Sequence, residues 1–417
     1  MSPIAVTSPN EPLRNLKQCA AAATPGLSTE TCDALSFQGR VRAMIFGGAF
    51  GDALGAVIEK MTHQEIKDMY GKVTHLDVPW WRETQDAVRR KGRVRGRGII
   101  TDDTLMTICL MSVYCTEERH LDAWDVARGI IREVVWTPRY IPEMQRETML
   151  QERLWYAEKW LFMRHQMTNC DPRQGGIGNQ VNCGAAMYIA PIGAVNAGNP
   201  RAAYSEAIHF ASAHQESYGL EAAGVLAAAV AAAFVPGTTV DDIVEVAIAV
   251  AHDGTKAAIV AIVEAARAMI GAPYDDVVVK FHEVIAKYSY TGDDIDYTID
   301  KAGVPSQAYR PSRFNSIEEL PLAFGFAITN KGEFYGSIID GVNSGRDTDS
   351  IGVMIGCFLG PLHGASVIEK QHLDMLNSAN HFDLLSNADA FGKVARKIQA
   401  EDEEEIHKVL QARKQLA

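Results

Sequence analysis

The amino-acid sequence predicts an all-α protein, one large helical domain behind an N-terminal extension. Three observations carry that expectation. Beyond Val41 apolar residues recur at helical spacing, while strand-like alternation is scarce and β-branched runs are short. Several helical stretches are packed with small side chains, as in Ala222-Ala223-Gly224 through Ala231-Ala232-Ala233 and from Ala257 to Ala268, which suits central helices whose axes approach closely. No linker composition interrupts residues 41–417, and no internal repeat of fixed period appears.

Taken in order, residues 1–38 are rich in Ser, Thr, Pro and Ala and are expected to form a flexible or loosely docked extension to a domain spanning 39–417. Periodicity predicts helices over roughly 41–60, 102–118, 122–134, 143–165, 200–213, 217–234, 240–252, 255–270, 274–287, 350–359, 363–376 and 388–414. Tyr288 to Ala308 reads as irregular or briefly extended. The last helix carries Glu401-Asp402-Glu403-Glu404-Glu405 early and Lys408, Arg413 and Lys414 late. That order suits the helix dipole and reads as a solvated terminal helix.

A chain of 417 residues, 47% hydrophobic, can bury a large core, and a formal charge of −12 argues against non-specific nucleic-acid binding. One dense basic run, Arg89-Arg90-Lys91 with Arg93, Arg95 and Arg97, is either a solvated loop or a phosphate-attracting rim. The seven cysteines form no C-x-x-C, and Cys109, Cys115 and Cys357 sit in apolar runs, so buried free thiols are expected. The N-terminus lacks a basic patch followed by an apolar stretch, and the longest apolar run, Leu220 to Val235, carries Glu221. The expectation is a reducing, cytoplasmic setting with no membrane partner.

Two acidic clusters stand out: Thr101-Asp102-Asp103 and Asp347-Thr348-Asp349-Ser350. Each follows a Gly-containing loop and opens an apolar helical run. Either alone is an ordinary N-cap. Together they offer carboxylates and hydroxyls, hard oxygen donors that would repel one another without a shared cation. An EF-hand is excluded, because the twelfth position from Asp347 is Phe358.

Around them lie weaker candidates. Asp52 and Glu59, in Gly51-Asp52-Ala53-Leu54-Gly55 and its continuation, are seven residues apart and would share one helix face, either solvent-facing or lining a wet cavity. Gln174-Gly175-Gly176-Ile177-Gly178-Asn179 is either a plain loop or a backbone cradle for phosphate oxygens. His214 is read as a cap or core histidine or as a site residue; Trp80-Trp81, Tyr288 and Tyr290 are core or would stack on a base. No G-x-S-x-G and no H-E-x-x-H occurs.

In this order the blocks resemble the ADP-ribosylglycohydrolases, a family that includes dinitrogenase reductase-activating glycohydrolase and the ADP-ribosyl-arginine and ADP-ribosyl-serine hydrolases. The resemblance runs from about Val41 to about Val367. It rests on Gly51 to Gly55 with Glu59, Thr101-Asp102-Asp103-Thr104, Asn182 to Met187 with Ala190-Pro191-Ile192-Gly193, and Gly345-Arg346-Asp347-Thr348-Asp349-Ser350. It implies an orthogonal all-α domain with two Mg²⁺, or Mn²⁺, held by Thr101, Asp102, Asp103, Asp347, Asp349 and Ser350. It implies a catalytic or gating role for Glu59 and a diphosphate-receiving loop at Gly175, Gly176 and Gly178. Asp103 or Glu59 is expected to accept a proton from water, and Asp52, Asn182, His214 and Arg346 to face the substrate, the Arg346 guanidinium either binding an anionic group or pairing with a nearby carboxylate. Ser350 stands where many relatives have Thr, Arg346 where Gly is common, and Tyr188 where several have Arg. Residues 136–172 have no obvious counterpart in compact relatives.

The function expected is hydrolysis at the anomeric carbon of an ADP-ribosyl group on a protein side chain or small molecule. The alternatives are an N-ribosyl hydrolase acting on a nucleoside-like or specialised metabolite, and a non-catalytic binding or structural homologue.

Overall fold

The computed structural model describes residues 34–179, 183–288 and 318–416. Asn182 and Tyr290, and most of the expected N-terminal extension, lie outside them.

Helix α1, Phe37–Gly55, starts at Ser36, whose side chain accepts from Gly39 N at 3.1 Å. It is buried from Gly39 onward except at Arg42 and stops at Gly55, so Asp52 and Glu59 do not share a helix face as expected; a turn carries Glu59. Helix α2, His63–Tyr70, opens with a Thr62/Glu65 capping box. Helix α3, Asp102–Glu117, is capped by Thr101. The helix expected over 122–134 forms only a turn at Ala123–Asp125 followed by π-helical segments Val126–Ile130 and Arg132–Trp136. That expected over 143–165 is displaced at its start by an antiparallel hairpin, β1 Pro138–Ile141 with β2 Arg146–Met149, in which Pro138 faces Met149 and Ile141 faces Arg146.

Then come α4 Tyr156–Thr168, α5 Ala190–Val195, α6 Pro200–Ala211, α7 Ser217–Ala233, α8 Val240–Val250, α9 Asp253–Ala268 and α10 Tyr274–Ile285. The last five are α11 Glu319–Thr329, α12 Phe334–Asn343, α13 Thr348–His363, α14 Lys370–Asn380 and α15 Leu384–Lys414. No helix is expected from the sequence at α2, α5, α11 or α12. Helix α11 is buried from Glu319 to Ile328, and a helix buried on all sides has no polar face to mark its period. One stretch among the described residues, Thr348–Val367, is long and apolar enough to cross a membrane; its apolar window is 72% buried inside the fold, which accounts for its composition.

The centre of the fold is the antiparallel crossing of α1 and α13, and glycine makes it possible. The two helices bring Gly47 against Gly356 and Gly51 against Gly352, each repeated at four-residue spacing. A Cβ built on Gly51 would lie 2.1 Å from the Gly352 carbonyl oxygen, and one on Gly356 would lie 2.0 Å from that of Gly47. Any side chain there drives the backbones apart. The close approach delivers the start of α13 to the end of α1, where Thr348 Oγ1 donates to Gly55 O at 2.7 Å.

Helix α15 closes the bundle against α1 and α3. Its Arg42–Asp389 pair is half exposed, but a more enclosed network ties its far end down. His120 Nδ1 meets Glu206 Oε2 at 2.6 Å and Nε2 meets Asp402 at 2.9 Å, while Tyr114 OH and Leu121 N also donate to Glu206. The Glu206 hydrogen bond, with the Glu206 and Asp402 charges, outweighs burial and lifts His120 from 6.5 to about 9. A raised histidine binds its proton more tightly when folded. Its stabilisation is therefore full below pH 6.5 and lost as pH rises through about 9. Thermal melts should fall across that window, and His120→Gln should flatten the fall. An unchanged slope in the variant would remove His120 as its source.

Candidate metal centre

Local caps build the site before tertiary contacts complete it. Thr101 begins α3, and its hydroxyl both accepts from Asp103 N at 3.3 Å and donates to Asp103 Oδ2 at 3.1 Å. From α13, Ser350 Oγ donates to the other oxygen, Asp103 Oδ1, at 3.0 Å. Asp103 is thus gripped from both acidic clusters, which the fold does bring together.

Asp52 braces the turn that opens α3. Fully buried, it accepts from Thr101 N at 3.0 Å, Thr104 N at 3.1 Å and Thr104 Oγ1 at 2.5 Å. It therefore fixes the first turn of α3. Burial pushes its carboxyl up to about 6 despite those donors.

Glu59 reaches the cluster by backbone pairing. Lys60 N donates to Arg346 O at 2.9 Å, Arg346 N donates to Met61 O at 2.8 Å, and Thr62 bridges Gly345. Gly345, at φ 89°, leaves no room for a side chain: a Cβ would lie 2.7 Å from Met61 O. One carboxylate oxygen each from Glu59, Asp347 and Asp349 lie within 4.8 Å of one another. A second triad shares Asp347: Cys183, Glu319 and Asp347 also converge within 4.8 Å.

The electrostatics follow from this crowding. Burial, then the neighbouring Asp52, Asp102 and Asp347, pushes Asp103 well above the usual carboxylate range. Burial, then Glu59, Asp103 and Asp347, does the same to Asp349. Buried carboxylates sharing so little space need a cation or a proton. The donors are carboxylate and hydroxyl oxygens, the chemistry of Mg²⁺- or Mn²⁺-type sites. The residues present therefore fit a divalent ion.

The basic run before Thr101 is not the solvated loop or rim expected of it throughout. Arg95 is buried and bonds to Glu59 and to Glu143 Oε1, the latter at 2.6 Å, and its Nη1 lies 3.9 Å from Asp349. Arg153 pairs with both Asp102 and Glu143. Burial opposes ionisation of Glu143, but Arg153, Arg95 and Arg93 outweigh it and hold the carboxyl at about 2. Glu143 is thus a permanent anion anchoring two guanidiniums against the site. Segment 138–153, with no counterpart expected in compact relatives, supplies this brace. Trp81 adds a hydrogen bond from Nε1 to Glu59 O at 3.1 Å.

Other expected site residues are occupied by packing. Gly176 N donates to Ser212 O at 2.9 Å, and a Cβ on Gly176 would lie 2.4 Å from Gln215 O. One on Gly175 would lie 2.2 Å from His165 Nε2, so these two glycines seat their loop on the turn after α6. Gly178, at φ 89°, has open space at its Cβ position and donates its N–H to Glu216 Oε1 at 2.9 Å. His214 is completely buried between Phe162 and Tyr188, with Tyr188 OH 2.8 Å from Nδ1. Burial, helped by His165, holds it at about 3, hence uncharged at neutral pH. It occupies the core position that was one of its two expected placements. The Arg346 guanidinium is paired at both ends with buried Glu318, Nη2 to Oε2 at 2.9 Å, so the anion it holds is the protein's own.

Sequence reasoning missed Glu319, Glu143, Arg153 and Cys183 as members of this neighbourhood. Cys183 stood inside a quoted motif; the other three had no local signal.

The sequence matches the ADP-ribosylglycohydrolase family profile over residues 33–404. The chain belongs to the ADP-ribosylglycohydrolase family. This is a hydrolase family whose members generally use divalent metals and act on ADP-ribosylated substrates. An uncharacterised protein of Archaeoglobus fulgidus is 24% identical over 328 residues, covering 77% of this chain and 87% of its own. A solved "ADP-ribosylglycohydrolase-related protein complex" aligns with a TM-score of 0.57 at 20% identity, covering 86% of this chain and 99% of its own; that likeness concerns the fold. The all-α architecture expected for an ADP-ribosylglycohydrolase is the one observed.

Proposed function

We propose that this ADP-ribosylglycohydrolase is a Mg²⁺-dependent glycoside hydrolase. It would cleave the bond at the anomeric carbon of an ADP-ribosyl group carried by a protein side chain or a small molecule. The observation that carries the proposal is the convergence of the Glu59, Asp347 and Asp349 carboxylates beside an Asp103 held by Thr101 and Ser350.

Thr101, Asp102, Asp103, Asp347, Asp349 and Ser350 would hold two Mg²⁺, with Mn²⁺ able to replace them. Bound there, the ions would supply Lewis acidity to the ribose diol and to a water, lowering the water's pKa. The chain's own groups do the rest. Asp103 or Glu59 accepts the water's proton; Arg95 and the Trp81 indole hold Glu59 in one position for that task. The carboxylates offset the positive charge that builds on the sugar as the leaving group departs. Asp52 keeps the α3 turn, and thus Thr101 and Asp103, in register. The five free cysteines among the described residues suit the cytoplasmic setting we include in the proposal.

Comparing ADP-ribosyl-arginine with simple ribosides, with Mg²⁺ and with chelator, tests this reading. Turnover of the ADP-ribosyl compound that stops with chelator is expected. Preference for simple ribosides would redirect the assignment to an N-ribosyl hydrolase. No turnover, with no rise in melting temperature from Mg²⁺ and ADP-ribose together, would favour a non-catalytic homologue.

A further inference from the structure

Helix α15 is longer than the body it packs on. Its buried stripe runs through Leu384, Ala388, Phe391, Ala395 and Ile398, at alternating three- and four-residue steps. The same face continues through Asp402 to Ile406, Val409 and Leu410, yet every residue from 403 to 416 is exposed. Ile406 is 53% exposed, Val409 42% and Leu410 48%. The family match ends at residue 404, so most of these apolar turns lie outside the matched region.

They do not project into open solvent on all sides. Val409 and Leu410 help line a groove of about 950 Å³ whose opposite wall carries Trp124 and Ile208. His120 joins the walls, bonding to Glu206 of α6 on one and Asp402 of α15 on the other. Arg173 stacks on the half-exposed Trp124, 5.1 Å from the ring centre. An apolar groove edged by charge, formed by a helix that overhangs its domain, is an unsatisfied docking surface.

The charge pattern selects the occupant. Five acids occupy 401–405, while Lys408, Arg413 and Lys414 follow. Two such segments side by side and parallel would set like charges together. Laid antiparallel, acids of one meet bases of the other at both ends, and the apolar turns meet in the middle. That arrangement is two-fold and self-complementary, the commonest closed symmetry. A segment of 16 residues spans about 24 Å. The internal Glu404–Lys408 pair at 2.6 Å is exposed and contributes little that would compete.

We propose that this surface docks a second copy of the chain, the overhanging turns of each α15 lying antiparallel across the groove of the other. The inference is independent of the hydrolase assignment. Sedimentation velocity on the full chain across micromolar concentrations tests it. The wild type should form a reversible dimer, weakened by salt. Val409→Glu with Leu410→Glu should raise the dissociation constant by about a hundredfold, because two apolar side chains at the centre become charged. Both positions are largely exposed, so the circular dichroism of the variant should match that of the wild type. Should that variant misfold, charge reversal replaces it. Lys408→Glu with Arg413→Glu, and separately Glu401→Lys with Glu405→Lys, should each weaken self-association and recover a dimer when mixed. A monomeric wild type overturns the proposal. A dimer that keeps its mass in the double-Glu variant, or fails to recover on mixing, overturns it too.

Discussion

Asp349→Ala is expected to lower hydrolysis by about 10³-fold, the size of loss seen when one preorganised charge-stabilising group is removed. Asp349 lies on the first turn of α13 and belongs to the triad with Glu59 and Asp347. In the proposed centre its removal would take a donor from the ion and a carboxylate from the field around the sugar. Stability should move the opposite way. In the metal-free protein Asp349 is pushed above the ordinary carboxylate range by burial and then by Glu59, Asp103 and Asp347. Groups with raised folded-state pKa take up protons on folding, so their effect weakens the fold as pH rises past the usual carboxylate range. Deleting Asp349 relieves that repulsion, and the metal-free variant should melt higher than the metal-free wild type at neutral pH. It should also lose most of the stabilisation that Mg²⁺ or Mn²⁺ confers. Melts with and without metal, together with a Mn²⁺ titration, read both effects. Wild-type turnover with wild-type Mg²⁺ affinity would sink the proposed centre.

Gly51→Val is the second large effect, and it acts through the fold. A Cβ at this position would sit 2.1 Å from the Gly352 carbonyl oxygen, against rigid backbone and not a movable side chain. Separating α1 from α13 would also separate Gly55 from Thr348 and so pull Asp349 from Glu59. Overpacking of a dense core costs about 3 kcal/mol, a large fraction of typical domain stability. The expected outcome is little soluble protein, and in what remains a lower melting temperature and no metal response. Gly71→Val makes the comparison: at φ 68° it is strained, but it has open space around it, so the loss should be smaller and the metal response kept. Equal, mild behaviour of the two variants would show that the close crossing is not what holds the site.

Much of this molecule is written in local pattern. The helix runs from α6 to α10 follow apolar spacing to within a few residues, and Thr101 announces its cap through the Asp and Thr residues behind it. The acidic clusters announce their chemistry through residue type alone. Where local pattern misleads, the cause is visible. The stretch near 143 has helical composition, yet Pro138, Pro142 and a left-handed Gln145 turn it into a hairpin and a 3-10 turn. The seven-residue spacing of Asp52 and Glu59 loses meaning once α1 ends at Gly55.

By itself, then, the sequence determined the helical class, the hydrolase family and the hard oxygen donors, because periodicity, motif order and residue chemistry are properties of neighbours along the chain. Only the tertiary structure decided how those donors are divided. It gave Asp52 to the α3 turn, Asp102 to Arg153, Glu59 to Arg95 and Arg346 to Glu318, and it set Cys183 and Glu319 beside Asp347. Each of these is a pairing of buried charge or polar atoms across the fold. Burial makes such pairing obligatory, but which partner arrives depends on how helices pack, and here that rests on the glycine crossing of α1 and α13.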